Sequence, residues 1–399
     1  MSKPKVILVN RVYHPSEAAT AQLLHDLAGS LAAAGWPVEV IAAGDETTAE
    51  TAVRVHRTGG TPAHGGLISR ARNYLAFLRR ARARLAATAK PGDIVVPMTD
   101  PPMLGAAVTT VARSCGARVV HWVQDIYPEI VTAHTGAWLT VPMAPLRAWR
   151  NKAWRAAAAC VVVGEEMGTT AVAQGVPTGR VQVIENWAPR ELAEPVSSAD
   201  VASIRREWNL EGRLVVTYSG NLGRVHEFDA VLAAAVELRQ EAGIGFAFVG
   251  SGARFDEVRR SAIAQNLGNV RFLPAQPRAR LAASLAAADA HLVTLRSGFE
   301  RLVNPSKLAG VLAAARPVLF VGPPHGAIAR LLAAEDCGQA FAPDNGPGLA
   351  AAIRQLRADP ARAAALGTNA RRVYERRFTL AAAAAAWEEV LGRVAASPP

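Results

Sequence analysis

The sequence predicts an α/β protein made of two Rossmann-like domains, each a doubly wound parallel sheet. Three observations carry this. Short apolar, β-branched runs alternate with helix-like stretches, and strands apolar at every position belong to parallel sheets covered on both faces. The alternation occurs twice, on either side of PRELAEPVSSADVAS (189–203), a polar segment with Pro and Ser that follows neither period. Finally, 399 residues, half of them apolar, are too many for one ordinary core and enough for two.

In chain order, the first set of strands is KVILVN (5–10), VEVIA (38–42), DIVVPM (93–98), RVVHWV (118–123), ACVVV (159–163) and VQVIE (181–185). Between the first two lies a helix from Glu17 to Ala34, whose Leu23, Leu24, Leu27 and Leu31 share a face and which Gly35 stops. Ser16-Glu17 suits its N-cap. The second set is LVVTYS (214–219), FAFVG (246–250), VRFL (270–273), AHLVTL (290–295) and PVLFV (317–321), again with helices between. We therefore expect domains at 1–190 and 191–375, and a C-terminal helix over 376–399 returning to the first domain.

Composition excludes several classes. No 18 apolar residues run without charge, so no membrane span is expected, and the four-residue apolar run behind the basic start is too short for a secretory leader. Cys115, Cys160 and Cys337 are far apart, beside or within apolar segments, as packed free thiols in a reducing cytoplasm would be. His14, His25, His121, His134 and His291 form no metal spacing, and Trp122, Trp187 and Trp208 read as core.

The net charge of +11 is uneven. Residues 1–190 hold 20 basic against 13 acidic side chains, a net of +7, which leaves +4 for the remainder. Between Arg70 and Lys90 there are seven basic residues and no acidic one, interleaved with Tyr74, Leu75, Phe77, Leu78 and Leu85 at helical spacing. LRAWRNKAWR, from Leu146, adds Trp149 and Trp154. Such helices are either solvated basic faces or surfaces drawn to anionic lipid headgroups. No nucleic-acid-binding motif accompanies the charge, so nucleic acid is not an expected partner.

The chemistry-bearing motifs lie where strands of the second domain end. In LRSGFERLVNPSKLAG (295–310), a strand breaks, wanders and restarts as a helix. Asn304 suits its N-cap and Pro305 its first turn, leaving the Ser306 and Lys307 amides and the Lys307 ammonium to face an anion. YSGNLGRVHEFD (218–229) supplies Gly220 and Gly223 for close backbone approach, Asn221 as a donor and Arg224 as a bidentate phosphate partner. VGSGARFDEV (249–258) ends a strand in Gly250-Ser251-Gly252 and opens a helix. Each junction has an ordinary structural alternative, a capped helix or a plain turn. Three in one half-domain point to a nucleotide.

These residues, with RVYHPSEAATAQLLHDLAGSLAAAGWPVEVIA, VQDIYPE, VIENWAP, RFLPAQPR and LVNPSKLAGVLAAARPVLFVGP, resemble the retaining nucleotide-sugar glycosyltransferases of family 4. The resemblance covers essentially the whole chain. It looks closest to bacterial enzymes of capsule, exopolysaccharide and O-antigen assembly that transfer fucose or N-acetylfucosamine. It implies the GT-B fold, two Rossmann-like domains facing a central cleft, and a nucleotide-diphosphate sugar of UDP or GDP type as substrate, with no cofactor and no metal. The absence of any Asp-x-Asp agrees with that.

The chain departs from the family at several points. The family's paired glutamates fall at Leu302 and Gly310, with Glu300 close but out of register as a candidate donor contact. Its usual Arg and Lys after the first C-terminal strand fall at Asn221 and His226, with Arg224 between. Its Gly-Gly loop is Ala18-Ala19-Thr20, and its His before Asp125 is Gln124. The implied catalytic set is Arg224 and Lys307, offsetting leaving-group charge, and Asp125 and Gln124, orienting sugar and acceptor unless they are a polar loop-capping pair; Glu17, after the first strand's loop, could also reach the acceptor, although an N-capped helix explains Ser16-Glu17 equally well. Gly220, Asn221, Gly250, Ser251, Ser306 and Glu300 would bind the donor. A donor phosphate oxygen would take the acceptor's proton.

The implied acceptor is a lipid-linked saccharide, with the protein cytoplasmic and peripheral to the anionic inner face of the plasma membrane. Two other functions share parts of this pattern: a GT-B nucleotide-sugar epimerase, and a non-catalytic membrane-surface scaffold.

Overall fold

A computed structural model describes residues 3–45, 52–60, 66–194 and 196–397. Pro195, within the expected linker, lies outside them. The chain divides into two compact units: 1–185 with 301–304 and 380–399, and 186–300 with 305–379.

The N-terminal unit holds a seven-stranded sheet of β1 (Val6–Val9), β2 (Val38–Ala42), β3 (Arg54–Arg57), β4 (Ile94–Pro97), β5 (Arg118–Val123), β6 (Ala159–Val162) and β7 (Val181–Val183), in spatial order β3-β2-β1-β4-β5-β6-β7. The C-terminal unit holds β8 (Leu214–Asn221), β9 (Ile244–Ser251), β10 (Val270–Leu273), β11 (Ala290–Thr294), β12 (Val318–Val321) and β13 (Gly338–Phe341), in order β10-β9-β8-β11-β12-β13. Every pairing in both sheets is parallel. In each sheet the order reverses beside the first strand, between β1 and β4 and between β8 and β11. At such switch points parallel sheets open a crevice for ligands.

All the expected strands form, and two more, β3 and β13, close an edge of each sheet. Their sequences, RVHR and GQAF, carry too little apolar, β-branched character to be legible, because an edge strand needs one neighbour rather than burial on both faces. The linker also differs from expectation. It contains a helix, Ser198–Glu207, whose start is fixed by Ser197 Oγ accepting from the Asp200 amide at 3.1 Å, an S-x-x-D cap that the composition of the segment obscured. The first helix runs Ala19–Ala33 and buries Leu23, Leu24, Leu27 and Leu31, but its N-cap is Ala18 and no side chain caps it, so Ser16-Glu17 does not have the expected role.

The last helix, Leu380–Ala396, lies in the N-terminal unit, where Trp387 is fully buried and meets Trp122 of β5 edge-on at 5.1 Å between ring centroids. Among the described residues no helix is long and apolar enough to cross a membrane. In the C-terminal unit Tyr218, Phe228, Phe246 and Phe248 are fully buried under the carboxyl ends of β8 and β9 and make a rigid aromatic floor.

Candidate active site

The C-terminal switch point gathers most of the expected site. The second and third glycine junctions form one ledge, since β8 and β9 stay paired to their ends, with Gly220 opposite Gly250 and Asn221 opposite Ser251. Asn221 and Ser251 are exposed at its rim. Gly250 has φ +145°, and a Cβ there would lie 2.1 Å from Gly220 O, so only glycine lets the strands meet. Gly220, at φ +124°, leaves space for the Lys307 side chain, whose Cε would be 2.8 Å from an added Cβ.

Lys307 is held from three sides. Gly220 lies under its aliphatic stem, the Tyr218 ring is 5.0 Å from its ammonium, and His226 Nε2 is 3.0 Å away. The imidazole tautomer follows from its other partner. His226 Nδ1 is 2.7 Å from Thr294 O at the end of β11, and a carbonyl can only accept, so Nδ1 carries the hydrogen and Nε2 offers a lone pair to the ammonium. Burial first, and the neighbouring Lys307 charge second, push His226 down to about 3, which keeps it neutral. Burial pushes Lys307 down to about 8, still protonated at neutral pH.

The remaining expected residues divide. The helix of this junction is Lys307–Ala313 with Ser306 at the N-cap, and the Leu308 amide already donates to Pro305 O. Asn304 is therefore not the cap. Its side-chain amide donates to Val163 O, and residues 301–304 belong to the N-terminal unit, where Thr170 Oγ1 also donates to Arg301 O at 3.1 Å. Exposed Ser306, at the N-cap, stays beside Lys307, the first residue of the helix.

Arg224 is exposed on the loop after β8, and its carbonyl accepts from Arg296 at 3.3 Å. Glu300 accepts from the Gly298 amide at 2.7 Å and so caps its own loop. The Gly310 Cα faces Leu192 and Leu285, an apolar setting. The geometry adds three residues that sequence reasoning did not select: His226, Tyr218 and Arg254. Arg254 donates to His226 O at 2.7 Å, pairs with Glu257 at 2.8 Å and lies over Phe228, which pins the loop carrying His226.

In the N-terminal unit Gln124 and Asp125 follow β5, with Gln124 buried and Asp125 half-buried. Asp125 forms an antiparallel bridge with Val303, and the Ile126 amide donates to Leu302 O at 2.9 Å. Burial, then the Asp100 carboxylate, push Asp125 up to about 6. Asp100 itself is raised by burial against the pull of Arg11, whose guanidinium lies 3.0 Å away. Exposed Glu17 lies on the loop after β1.

Residues 20–191 match the profile of Glycosyltransferase Family 4, and residues 200–373 that of Glycosyl transferases group 1. The chain is 29% identical over 294 residues to the probable glycosyltransferase WbjE of Pseudomonas aeruginosa, covering 73% of this chain and 72% of that one. It is 34% identical over 152 residues to WcaI of Escherichia coli (strain K12), a putative colanic acid biosynthesis glycosyl transferase, covering 38% and 37%.

Solved structures share the fold at low identity. Anabaena HepE in complex with UDP and glucose superposes with a TM-score of 0.73 at 16% identity, over 98% of this chain and 100% of that one. Sucrose-phosphate synthase of Thermosynechococcus elongatus gives 0.78 at 19%, over 99% and 100%. The two parallel-sheet units are the Rossmann-like domains of the GT-B fold, and the chain is a glycosyltransferase with a Glycosyltransferase Family 4 domain followed by a Glycosyl transferases group 1 domain.

Proposed function

We propose that this glycosyltransferase moves a sugar of the fucose or N-acetylfucosamine type from a nucleoside-diphosphate donor, with retention and without a metal, to a hydroxyl of a lipid-linked saccharide in polysaccharide biosynthesis. The observation that carries the donor half is the Lys307 ammonium, aimed across Gly220 at the switch point of the C-terminal sheet. As the glycosidic C–O bond to the diphosphate breaks, negative charge grows on the leaving oxygen, and a positioned ammonium offsets it. The acceptor O–H proton passes to a phosphate oxygen of the departing group as the new C–O bond forms on the same face. Arg224 and the Ser306 amide would add donors to the phosphates, Asn221, Gly250, Ser251 and Glu300 would line the donor, and Asp125 and Gln124 would orient the acceptor. WcaI's naming for colanic acid biosynthesis supports a polysaccharide product, and HepE's capture with UDP supports a uridine donor.

The test is a thermal-shift panel of UDP, GDP, dTDP and ADP. A nucleotide that binds only the folded state at a hundred times its dissociation constant adds about 2.7 kcal/mol. The matching nucleotide should raise Tm by about 5–10 °C for a domain of this size. No shift with any of the four at millimolar concentration would overturn the donor reading.

For the acceptor side, the structure changes which residues could meet an anionic membrane. On the Leu67–Thr88 helix, Arg79, Arg80, Arg82 and Arg84 are exposed, but Phe77 is buried and Tyr74 lies under Arg11, so its aromatics do not face outward as the sequence suggested. Trp154 and Arg150 of Ala144–Ala156 are buried too. The first helix does expose Leu75, and a denser apolar group is exposed by Trp138 at 72%, Val141 at 80%, Leu146 and Trp149, the last two from the second expected stretch, within one short segment that also carries Arg147, Lys152 and Arg155. Basic side chains near an anionic surface contribute about 1 kcal/mol each. The parent should co-sediment with phosphatidylglycerol vesicles, and combined Trp138→Ser and Trp149→Ser should weaken this as much as Gln at the four arginines. If both variants bind like the parent, this part of the proposal fails.

A further inference from the structure

The geometry points to His226 as a positioning residue for Lys307: its Nε2 lone pair accepts one ammonium N–H and fixes the direction of the others toward the donor diphosphate. This deepens the donor reading above and rests on it. The imidazole cannot turn over, because its Nδ1–H is committed to Thr294 O at 2.7 Å, and Thr294 is a fully buried end of β11. It cannot swing, because Arg254 holds its carbonyl at 2.7 Å and the Tyr218 and Phe228 rings pack on it at 5.8 and 6.4 Å. Lys307 Nζ is thus met by a lone pair on one side at 3.0 Å and by a ring on another at 5.0 Å. Its remaining hydrogens can point only away from both.

A second cation at this position would repel the ammonium, and an apolar side chain would leave it buried with one hydrogen unmet. A neutral imidazole does neither. Lysine has four rotatable bonds, and without a fixed acceptor the ammonium would sample positions off the line to the leaving oxygen. Misplacement by about 1 Å can cost on the order of a hundredfold.

The experiment compares two side chains that each copy half of the imidazole. Glutamine places its amide oxygen near Nε2 and can still accept from Lys307; asparagine reaches only the Nδ1 position and can keep the Thr294 bond alone. His226→Asn should lower kcat by about tenfold to a hundredfold with a small change in KM, and should shift the alkaline limb of the kcat/KM profile to lower pH. The ammonium then loses the acceptor that favours its charged form. His226→Gln should recover most of kcat and return the limb to the parent's position.

Tyr218 and Arg254, which also face this pair, and Glu257 and Glu227 on the neighbouring segment are unchanged in both variants, so they cannot produce a difference between them. Equal losses in the two variants with an unmoved limb would make His226 a structural residue only. Melting each variant with the nucleotide that stabilises the parent separates the cases: no shift in the parent removes the donor reading itself, whereas a shift in the parent and equal behaviour of the variants removes the positioning role alone. If asparagine prevents folding, His226→Leu against His226→Gln gives the same contrast.

Discussion

Lys307→Ala lowers kcat by on the order of a hundredfold or more and leaves the fold intact. The magnitude follows from removing one preorganised charge from a developing oxyanion. Retention of fold follows from the sign of the pKa shift. Burial places Lys307 at about 8 in the folded protein, below its ordinary value of 10.5, so the native state pays a penalty for the ammonium at pH 7 that is relieved as pH rises through and beyond about 8. Deleting the group removes that penalty, and Lys307→Met should melt no lower than the parent at pH 7. The same shift gives the parent a pH dependence. The kcat/KM profile should have an alkaline limb near pH 8, where the free enzyme loses the charge, and the limb should be absent from Lys307→Met. A lysine variant with normal kcat and only a raised KM would show that the ammonium binds donor without stabilising departure.

Gly250→Ala destabilises the C-terminal unit and abolishes nucleotide binding. The φ of +145° costs a non-glycine residue about 1–3 kcal/mol. The added Cβ meets Gly220 O at 2.1 Å, a backbone atom that cannot swing away. The ledge must therefore part, and Gly220 carries the stem of Lys307, so stability and site geometry fail together. At about 2–4 °C per kcal/mol, the transition shifted by nucleotide should fall by about 5–10 °C. Gly268→Ala is the matched control in the same unit, since an added Cβ there meets nothing within 4 Å. Comparable melting of the two variants in differential scanning calorimetry would mean that the strand ends are not packed as described.

Much of this was legible in the residues themselves. A strand such as VLFV or VVHW is buried on both faces, so its identity is written in every position, and the interruption between Pro189 and Ser203 marks where one such series stops. Gly220, Gly250 and Lys307 were legible for a related reason: positive φ at a strand end and a cation at the start of a helix are local properties, stated by one residue and its neighbours. RVHR and GQAF were not, since an edge strand is defined by the partner beside it. The tertiary structure alone decided which way the Leu67–Thr88 helix turns its aromatics, that Asn304 bonds to Val163 O instead of capping a helix, and that Glu300 closes its own loop. It alone brought His226 to Lys307, 81 positions away, and to Thr294, 68 away, with a tautomer set by a backbone carbonyl. Local sequence specifies what a residue prefers to be exposed to; only the order of strands in the sheet determines which side chain it meets, and it is that meeting which places the charge.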